Sequence, residues 1–307
     1  LPHVTFIHGI GNKPPAPRLG RNWRRVLAEN GLDLDASGVT STFVYWADLL
    51  HPAPLPEARY EDARGSLEVE APEIGMRWLV RSTGVEASFV AALADRVGLD
   101  EFASDDPVLP AGVEPDPTRE RVLLPWFVKR RLMKVFLRDA HHYLFDTEFS
   151  PREGEMYSIR REIRARVLRA LDEGARRPGP HVVVAHSLGT VIAYDCVKRL
   201  PDCPRVDGLL TFGSPLGIDE VQDRLRPEWT RHDGFPAGVR QWVNVYDRLD
   251  PVAGVDALLA NDFRRQGVKA VVDVGAPNRG AWRHGADKYL AGAGLRDALA
   301  GMLDGEW

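Results

Sequence analysis

Residues 181–189 read His181-Val182-Val183-Val184-Ala185-His186-Ser187-Leu188-Gly189. The short, continuous apolar run from His181 to Ala185 predicts a strand buried on both faces. From Leu188 to Leu200 the apolar spacing predicts a helix. A serine therefore stands on the turn between a buried strand and a helix, the setting a nucleophile elbow requires. Such a turn is sharp and lifts the hydroxyl above the sheet. Small residues two before and two after the serine, here Ala185 and Gly189, let strand and helix close around it. The plainer alternative is that Ser187 only caps the following helix. The five-residue pattern is weak alone and takes its meaning from the strand–helix junction.

The sequence on either side repeats the same alternation. Downstream, Val206–Phe212, Val239–Tyr246 and Val268–Val274 are predicted strands, and a last helix is expected from about Ala286 to Leu303. Upstream, Ser150 and Glu153 have capping-box spacing, with Pro151 at the first helical position. Met156, Ile159, Ile163, Val167 and Leu171 follow at helical spacing, and that helix should end near Arg177. At the start, Val4–Ile7 is a β-rich run closed by the tight loop His8-Gly9-Ile10-Gly11-Asn12. Pro14, Pro15 and Pro17 should keep the next stretch irregular, with a short helix from Trp23 to Asn30 and a strand from Val39 to Trp46. Strands alternating with helices indicate a mostly parallel sheet covered on both faces. Residues 51–149 break this rhythm. They hold helical stretches near 73–97 and 121–145 and no clear strand, and read as a helical insertion.

The bulk numbers are those of an ordinary globular protein. The chain has 307 residues, 44% hydrophobic and 27% charged, with a net charge of −4. Nucleic acid is not an expected partner at that balance. Two cysteines, Cys196 and Cys203, exclude a disulfide framework and fit a reducing, cytoplasmic compartment. No signal peptide is visible, unless one was removed ahead of Leu1. No apolar run approaches the ~20 residues that span a bilayer. Adjacent His141 and His142 near Asp139 make a poor metal pair, because neighbours on a helix point about 100° apart. No metal site is expected. The His8–Gly11 loop lacks both the P-loop ending and the dinucleotide glycine pattern, so no cofactor is expected either.

Val184-Ala185-His186-Ser187-Leu188-Gly189-Thr190 resembles the elbow of lipase- and esterase-like serine hydrolases of the α/β-hydrolase superfamily. His8-Gly9 resembles their oxyanion loop, Thr211-Phe212-Gly213-Ser214-Pro215 the segment after their sixth strand, and Asn244–Val252 their acid loop. The resemblance covers residues 1–50 and 150–307. It implies an α/β-hydrolase fold whose core is built from those two stretches. These proteins carry two strands before the oxyanion strand, whereas the sequence opens at that strand. A reduced sheet of about six strands, flanked by helices, is therefore expected, unless two strands precede Leu1. Residues 51–149 would form a helical cap or lid. Its apolar residues, Trp78, Leu79, Phe89, Trp126, Phe127, Phe136, Leu144 and Phe145, would either line an acyl pocket or pack the cap onto the core. Its Lys and Arg residues suggest solvated faces more than membrane contact.

The family order of serine, acid, then base sorts the nine histidines. Six precede Ser187 and His186 adjoins it, which leaves His232 and His284. His284, after the last strand, takes the family's base position. The acid is Asp250 or Asp247. Asp250, before Pro251, is favoured, and Asp247 could instead brace the turn. Oxyanion donors are expected from the backbone of Leu188 and of Ile10, with Gly9 and Gly11 as rivals to the second. The resemblance implies hydrolysis of a carboxylic ester, lipid-like or small, through an acyl-enzyme on Ser187. A thioesterase, an acyltransferase or a non-catalytic scaffold on the same fold are the alternatives.

Overall fold

The computed structural model of the chain describes residues 1–56, 83–97, 126–225, 232–279 and 283–305. Runs rich in Val, Thr and Phe, which fit a pleated and buried surface, supply the strands β1 (His3–Ile7) and β2 (Thr40–Val44). Two-residue β3 (Glu148–Phe149) and β4 (Tyr157–Ser158) pair antiparallel. Then come β5 (His181–His186), β6 (Val206–Phe212) and β7 (Val239–Tyr246). A short ribbon of β8 (Arg264–Arg265) and β9 (Val268–Lys269) precedes β10 (Val271–Gly275). Among the described residues, six strands form one sheet in the order β10-β7-β6-β5-β1-β2. Every neighbouring pair in it is parallel.

The helices are α1 (Ala16–Glu29), α2 (Gly84–Arg96), α3 (Trp126–Leu144), α4 (Ile159–Ala175), α5 (Leu188–Arg199), α6 (Asp219–Leu225), α7 (Ala286–Ala291) and α8 (Ala293–Asp304). The two-residue period of a strand divides the sheet's side chains between two cores. Val182, Val184, Leu210, Phe212 and Val243 pack with Leu19, Trp23 and Leu27 of α1 and with Leu295, Leu299 and Met302 of α8. Val183, Ala185, Leu209 and Trp242 point the other way, into a core shared with Phe89, Phe136, Ile163, Val167 and Val191. Each such side chain contributes roughly 1.5–3 kcal/mol on leaving water.

The strand order fixes where chemistry can occur. The chain leaves β1 towards β2 on one side and leaves β5 towards β6 on the other. The carboxyl ends of β1 and β5 therefore flank a switch point, the crevice in which open α/β sheets bind ligands.

Several local expectations are corrected. α1 starts at Ala16 rather than near Trp23. Pro17 lies in its first turn, where the missing N–H has no helical partner to lose. α4 starts at Ile159, capped by the Ser158 hydroxyl on the Arg161 amide, not by Ser150. Tyr157 and Ser158 are held extended by pairing with β3, so residues 150–156 turn instead of coiling. Met156 is exposed. The stretch from Val268 to Val274 is split between β9 and β10. The terminal helix is broken at Gly292, which takes an extended conformation (φ −74°, ψ 139°).

The described part of 51–149 is helical where α2 and α3 stand. Phe89, Phe136 and Leu144 lie in the same core as α4 and α5, with Phe145 packed against it. Trp78, Leu79 and the side chains of Trp126 and Phe127 lie outside the described residues. Among the described residues no helix is long and apolar enough to cross a membrane. Both cysteines are free.

One buried carboxylate joins three helices. Asp195 of α5 accepts from Tyr143 Oη of α3 at 2.7 Å, from Arg164 of α4 at 2.8 Å through both Nε and Nη2, and from Arg199 at 3.0 Å. Burial opposes its charge, but Arg164, Tyr143 and Arg199 outweigh that and hold the carboxyl below the ordinary range. Asp195→Ala should cost about 3 kcal/mol in urea unfolding, because the arginines lose their partner. A carboxyl with a depressed folded pKa stabilises fully above about pH 4 and loses that contribution as pH falls through the folded value. The gap between variant and parent should therefore narrow in acid. A gap independent of pH would show that Asp195 acts through packing alone.

Candidate active site

Ser187 is the N-cap of α5 and stands at φ 53°, ψ −130°, a backbone conformation side chains rarely adopt. Holding it costs on the order of 1–3 kcal/mol, so the surroundings must leave no relaxed option. Its amide donates to Phe212 O of β6 at 3.0 Å. A Cβ on Gly189 would come within 2.5 Å of His8 O, and one on Gly9 within 2.5 Å of Ser187 Cβ. Both glycines are thus required by contact, and they let the loop after β1 touch the elbow. Thr190 Oγ1 donates to Ser187 O at 2.7 Å and takes a hydrogen bond from Ser214 Oγ, also at 2.7 Å. This gives the Thr211–Pro215 segment its place, as a brace behind the turn.

His284 and Asp250 come to this elbow from the loops after β10 and β7. His284 Nε2 lies 2.8 Å from Ser187 Oγ, and its Nδ1 lies 2.9 Å from each oxygen of Asp250. An ionised carboxylate only accepts, so Nδ1 carries the proton and Nε2 accepts from the serine hydroxyl. All three residues are buried. Asp250 Oδ1 also accepts from the amides of Val252 at 2.8 Å and Ala253 at 3.1 Å, and Oδ2 from Tyr289 Oη at 2.7 Å. Burial disfavours the charge, but His284, Tyr289 and Val252 more than compensate and keep the carboxyl below the usual carboxylate range. Asp247 does different work. Its carboxylate accepts from the amides of Leu249 and Asn278, both at 2.9 Å, and from Arg283 at 3.1 Å. It ties the acid loop to the loop that carries His284. His232 is elsewhere, on the β8–β9 ribbon, where its carbonyl accepts from Gly267.

Three supporting residues escaped the sequence reading. His186, fully desolvated, donates from Nε2 to His284 O at 2.9 Å and stacks 4.9 Å from the Phe212 ring. Burial, with His284 close by, pushes its pKa well below the histidine range. Tyr289 links the two aspartates, since its hydroxyl donates to Asp250 and accepts from the Asp247 amide at 3.1 Å. Burial and the neighbouring Asp250 push its pKa up. His8 takes the Trp46 amide on Nε2 at 3.0 Å, so Nδ1 donates, at 2.7 Å, to Gly9 O. The ring lies 4.8 Å from that of Trp46 at an interplanar angle of 10°. No spacing rule points to these residues; only the folded sheet brings their partners near.

On the side of the loop after β1, Leu188 is the first residue of α5, so its amide has no acceptor within the helix. The Gly9–Ile10 peptide has its carbonyl held by His8. The Gly11 amide is engaged at 2.8 Å by Asp139 Oδ2 of α3. Among the described residues, no group of three or more His, Cys, Asp or Glu is placed to hold a metal ion.

The strand order, the strained serine turn after β5, the acid loop after β7 and the histidine after β10 give this chain the α/β-hydrolase fold. No family model matches the sequence, and no curated protein matches it. Matching solved structures include a dienelactone hydrolase from Anabaena variabilis, 12% identical with a TM-score of 0.38 over 99% of this chain and 84% of that one. An uncharacterized protein from Pseudomonas aeruginosa is 12% identical with a TM-score of 0.36 over 99% of this chain and 46% of that one. Likeness so distant says nothing about chemistry, which must come from the site.

Tyr289→Phe removes one donor from the buried acid and one acceptor from Asp247. It should lower stability by about 1–2 kcal/mol in urea unfolding. Unchanged stability would mean that the hydroxyl does not support the acid.

Proposed function

We propose that this chain is a serine hydrolase that cleaves a carboxylic ester, lipid-like or small, through an acyl-enzyme on Ser187. The observation that carries the reading is the unbroken hydrogen-bond line from Asp250 through His284 to Ser187 Oγ. Along that line the serine proton has a destination. As Oγ attacks the acyl carbon, the proton passes to His284 Nε2, and the ester alkoxide leaves with it. Asp250 keeps the imidazole in the right tautomer and stabilises the imidazolium. Water, deprotonated by the same nitrogen, then releases the acid. Charge developing on the acyl oxygen falls to the amides of Leu188 and Ile10. The engagement of the Gly11 amide by Asp139 supports Ile10 over Gly11. The scheme runs on side chains, backbone and water.

Residues 51–149 serve, in this reading, as the helical cap that sets acyl specificity. The partner is the acyl substrate, and nucleic acid has no part. The net charge and the paucity of cysteine support work in a reducing, cytoplasmic setting.

A fluorophosphonate probe should give a single adduct on Ser187, located by mass spectrometry. Absence of labelling in folded protein would sink the reading. On p-nitrophenyl esters of graded chain length, Ser187→Ala should lower kcat by roughly 10⁴-fold or more. Asp250→Asn should cost on the order of 10⁴-fold, and Asp247→Asn much less. Equal losses at the two aspartates would overturn the choice of acid.

A further inference from the structure

The peptide between Ile10 and Gly11 is gripped at both ends by charges of opposite sign, one half-buried and one buried. Its carbonyl, Ile10 O, accepts from Lys13 Nζ, and its N–H, on Gly11, donates to Asp139 Oδ2 at 2.8 Å. Asp139 is buried and Lys13 half-buried, and the Asp139 carboxylate favours the Lys13 charge, while Arg138, His51 and the Gly11 amide favour that of Asp139. Burial brings Lys13 down to about 8 against the opposing pull of Asp139. Asp139 is in turn held by Arg138, through Nε at 2.8 Å, and Arg138 reaches His51 Nε2 at 3.1 Å. Gly11 has φ +78°, and a Cβ there would lie 3.6 Å from Val135 Cγ1 and 3.8 Å from Lys13 Nζ. Val135 and Asp139 are one turn apart on α3, so the same face of that helix meets the loop twice. The Lys13 backbone is itself pinned, because its carbonyl accepts from the Leu55 amide and from Tyr45 Oη.

A peptide plane held at its oxygen and its nitrogen cannot rotate. Its orientation sets ψ of Ile10, while the preceding peptide is fixed at Gly9 O by His8. The Ile10 N–H belongs to that preceding peptide, and with the following plane clamped as well the two cannot turn about Ile10 to redirect it. We propose that Lys13 and Asp139 are positioning residues that clamp the Ile10–Gly11 peptide and so aim the Ile10 amide at the oxyanion, making catalysis depend on a helix from the inserted segment. This rests on the serine-hydrolase reading above. Neither side chain touches the reacting atoms. Their effect should appear only where charge develops on oxygen.

The test pairs turnover of p-nitrophenyl butyrate with inhibition by an alkyl trifluoromethyl ketone. With that ketone, Ser187 Oγ bonds to the carbonyl carbon, the C=O π bond opens to an oxyanion, and the serine proton passes to His284. Asp139→Ala and Lys13→Met should each lower kcat about 10–100-fold and leave KM within about twofold. The ketone's inhibition constant should rise by the factor that kcat falls. The double variant should be little worse than the poorer single one, since both act on one peptide. Asp139→Asn, which keeps an acceptor for Gly11, should recover part of the loss. Should Asp139→Ala fail to fold, Lys13→Met and Asp139→Asn carry the same comparison, with thermal unfolding as the check on fold. Unchanged kcat in these variants, or a fall in kcat without weaker ketone binding, would overturn the clamp while leaving the hydrolase standing. A parent chain that neither turns over the ester nor takes the ketone on Ser187 would overturn both.

Discussion

Two segments 180 residues apart in sequence touch where no methyl group fits, and the rest of the site depends on that contact. Gly9 lies against Ser187, and Gly189 lies against the carbonyl of His8. With any side chain at either glycine, the loop after β1 and the turn after β5 would part. The positive φ of Ser187 would then have nothing to enforce it, and its hydroxyl would drop from the line set by His284. Parallel pairing of His3–Ile7 with His181–Ala185 is what delivers both segments to the same height. The sheet is thus the ruler by which the catalytic distance is set.

The remaining parts divide into the side around Asp250 and His284 and the side around the loop after β1. Asp250, Tyr289, Asp247 and Arg283 connect the loops after β7 and β10. His186 secures the backbone of His284 from beneath. On the opposite side, His8, Trp46 and the charges around Gly11 fix the loop after β1. Each side is built of buried polar groups with partners, and a polar network that is fully engaged confers rigidity. Rigidity here is directional, because a hydrogen bond to a named atom restrains an angle in a way that apolar packing does not.

The sheet was legible because its strands are short apolar runs, and a run of valines buried on two faces has few other readings. The serine turn was legible from small residues at fixed offsets. His284 was reached by its place in the chain order, and geometry then separated Asp250 from Asp247, which share one loop and one residue type. Tyr289 had no signal, since within a predicted helix it reads as an ordinary core residue. Lys13 stood beside prolines that pointed only to an irregular stretch, and Asp139 drew notice only as a neighbour of His141 and His142. The start of α4 was misplaced because pairing between β3 and β4 overrides a local capping pattern. The break at Gly292 was missed because a glycine in a helical pattern costs only about 1 kcal/mol, too little to announce itself.

The pairing of β1 with β5 also has a consequence for how the chain acquires its shape. Strand β1 lies one place in from the edge of the sheet, between the edge strand β2 and β5. One neighbour is synthesised soon after it and the other only after residue 181. During translation the edge of β1 that β5 will cover therefore has no partner strand while more than a hundred residues, from the end of β2 to the start of β5, pass the ribosome exit. Topologies dominated by such distant pairings fold slowly, and an unpaired edge invites wrong partners in the interval. The most demanding stage of folding falls in the interval between the synthesis of β1 and the arrival of β5.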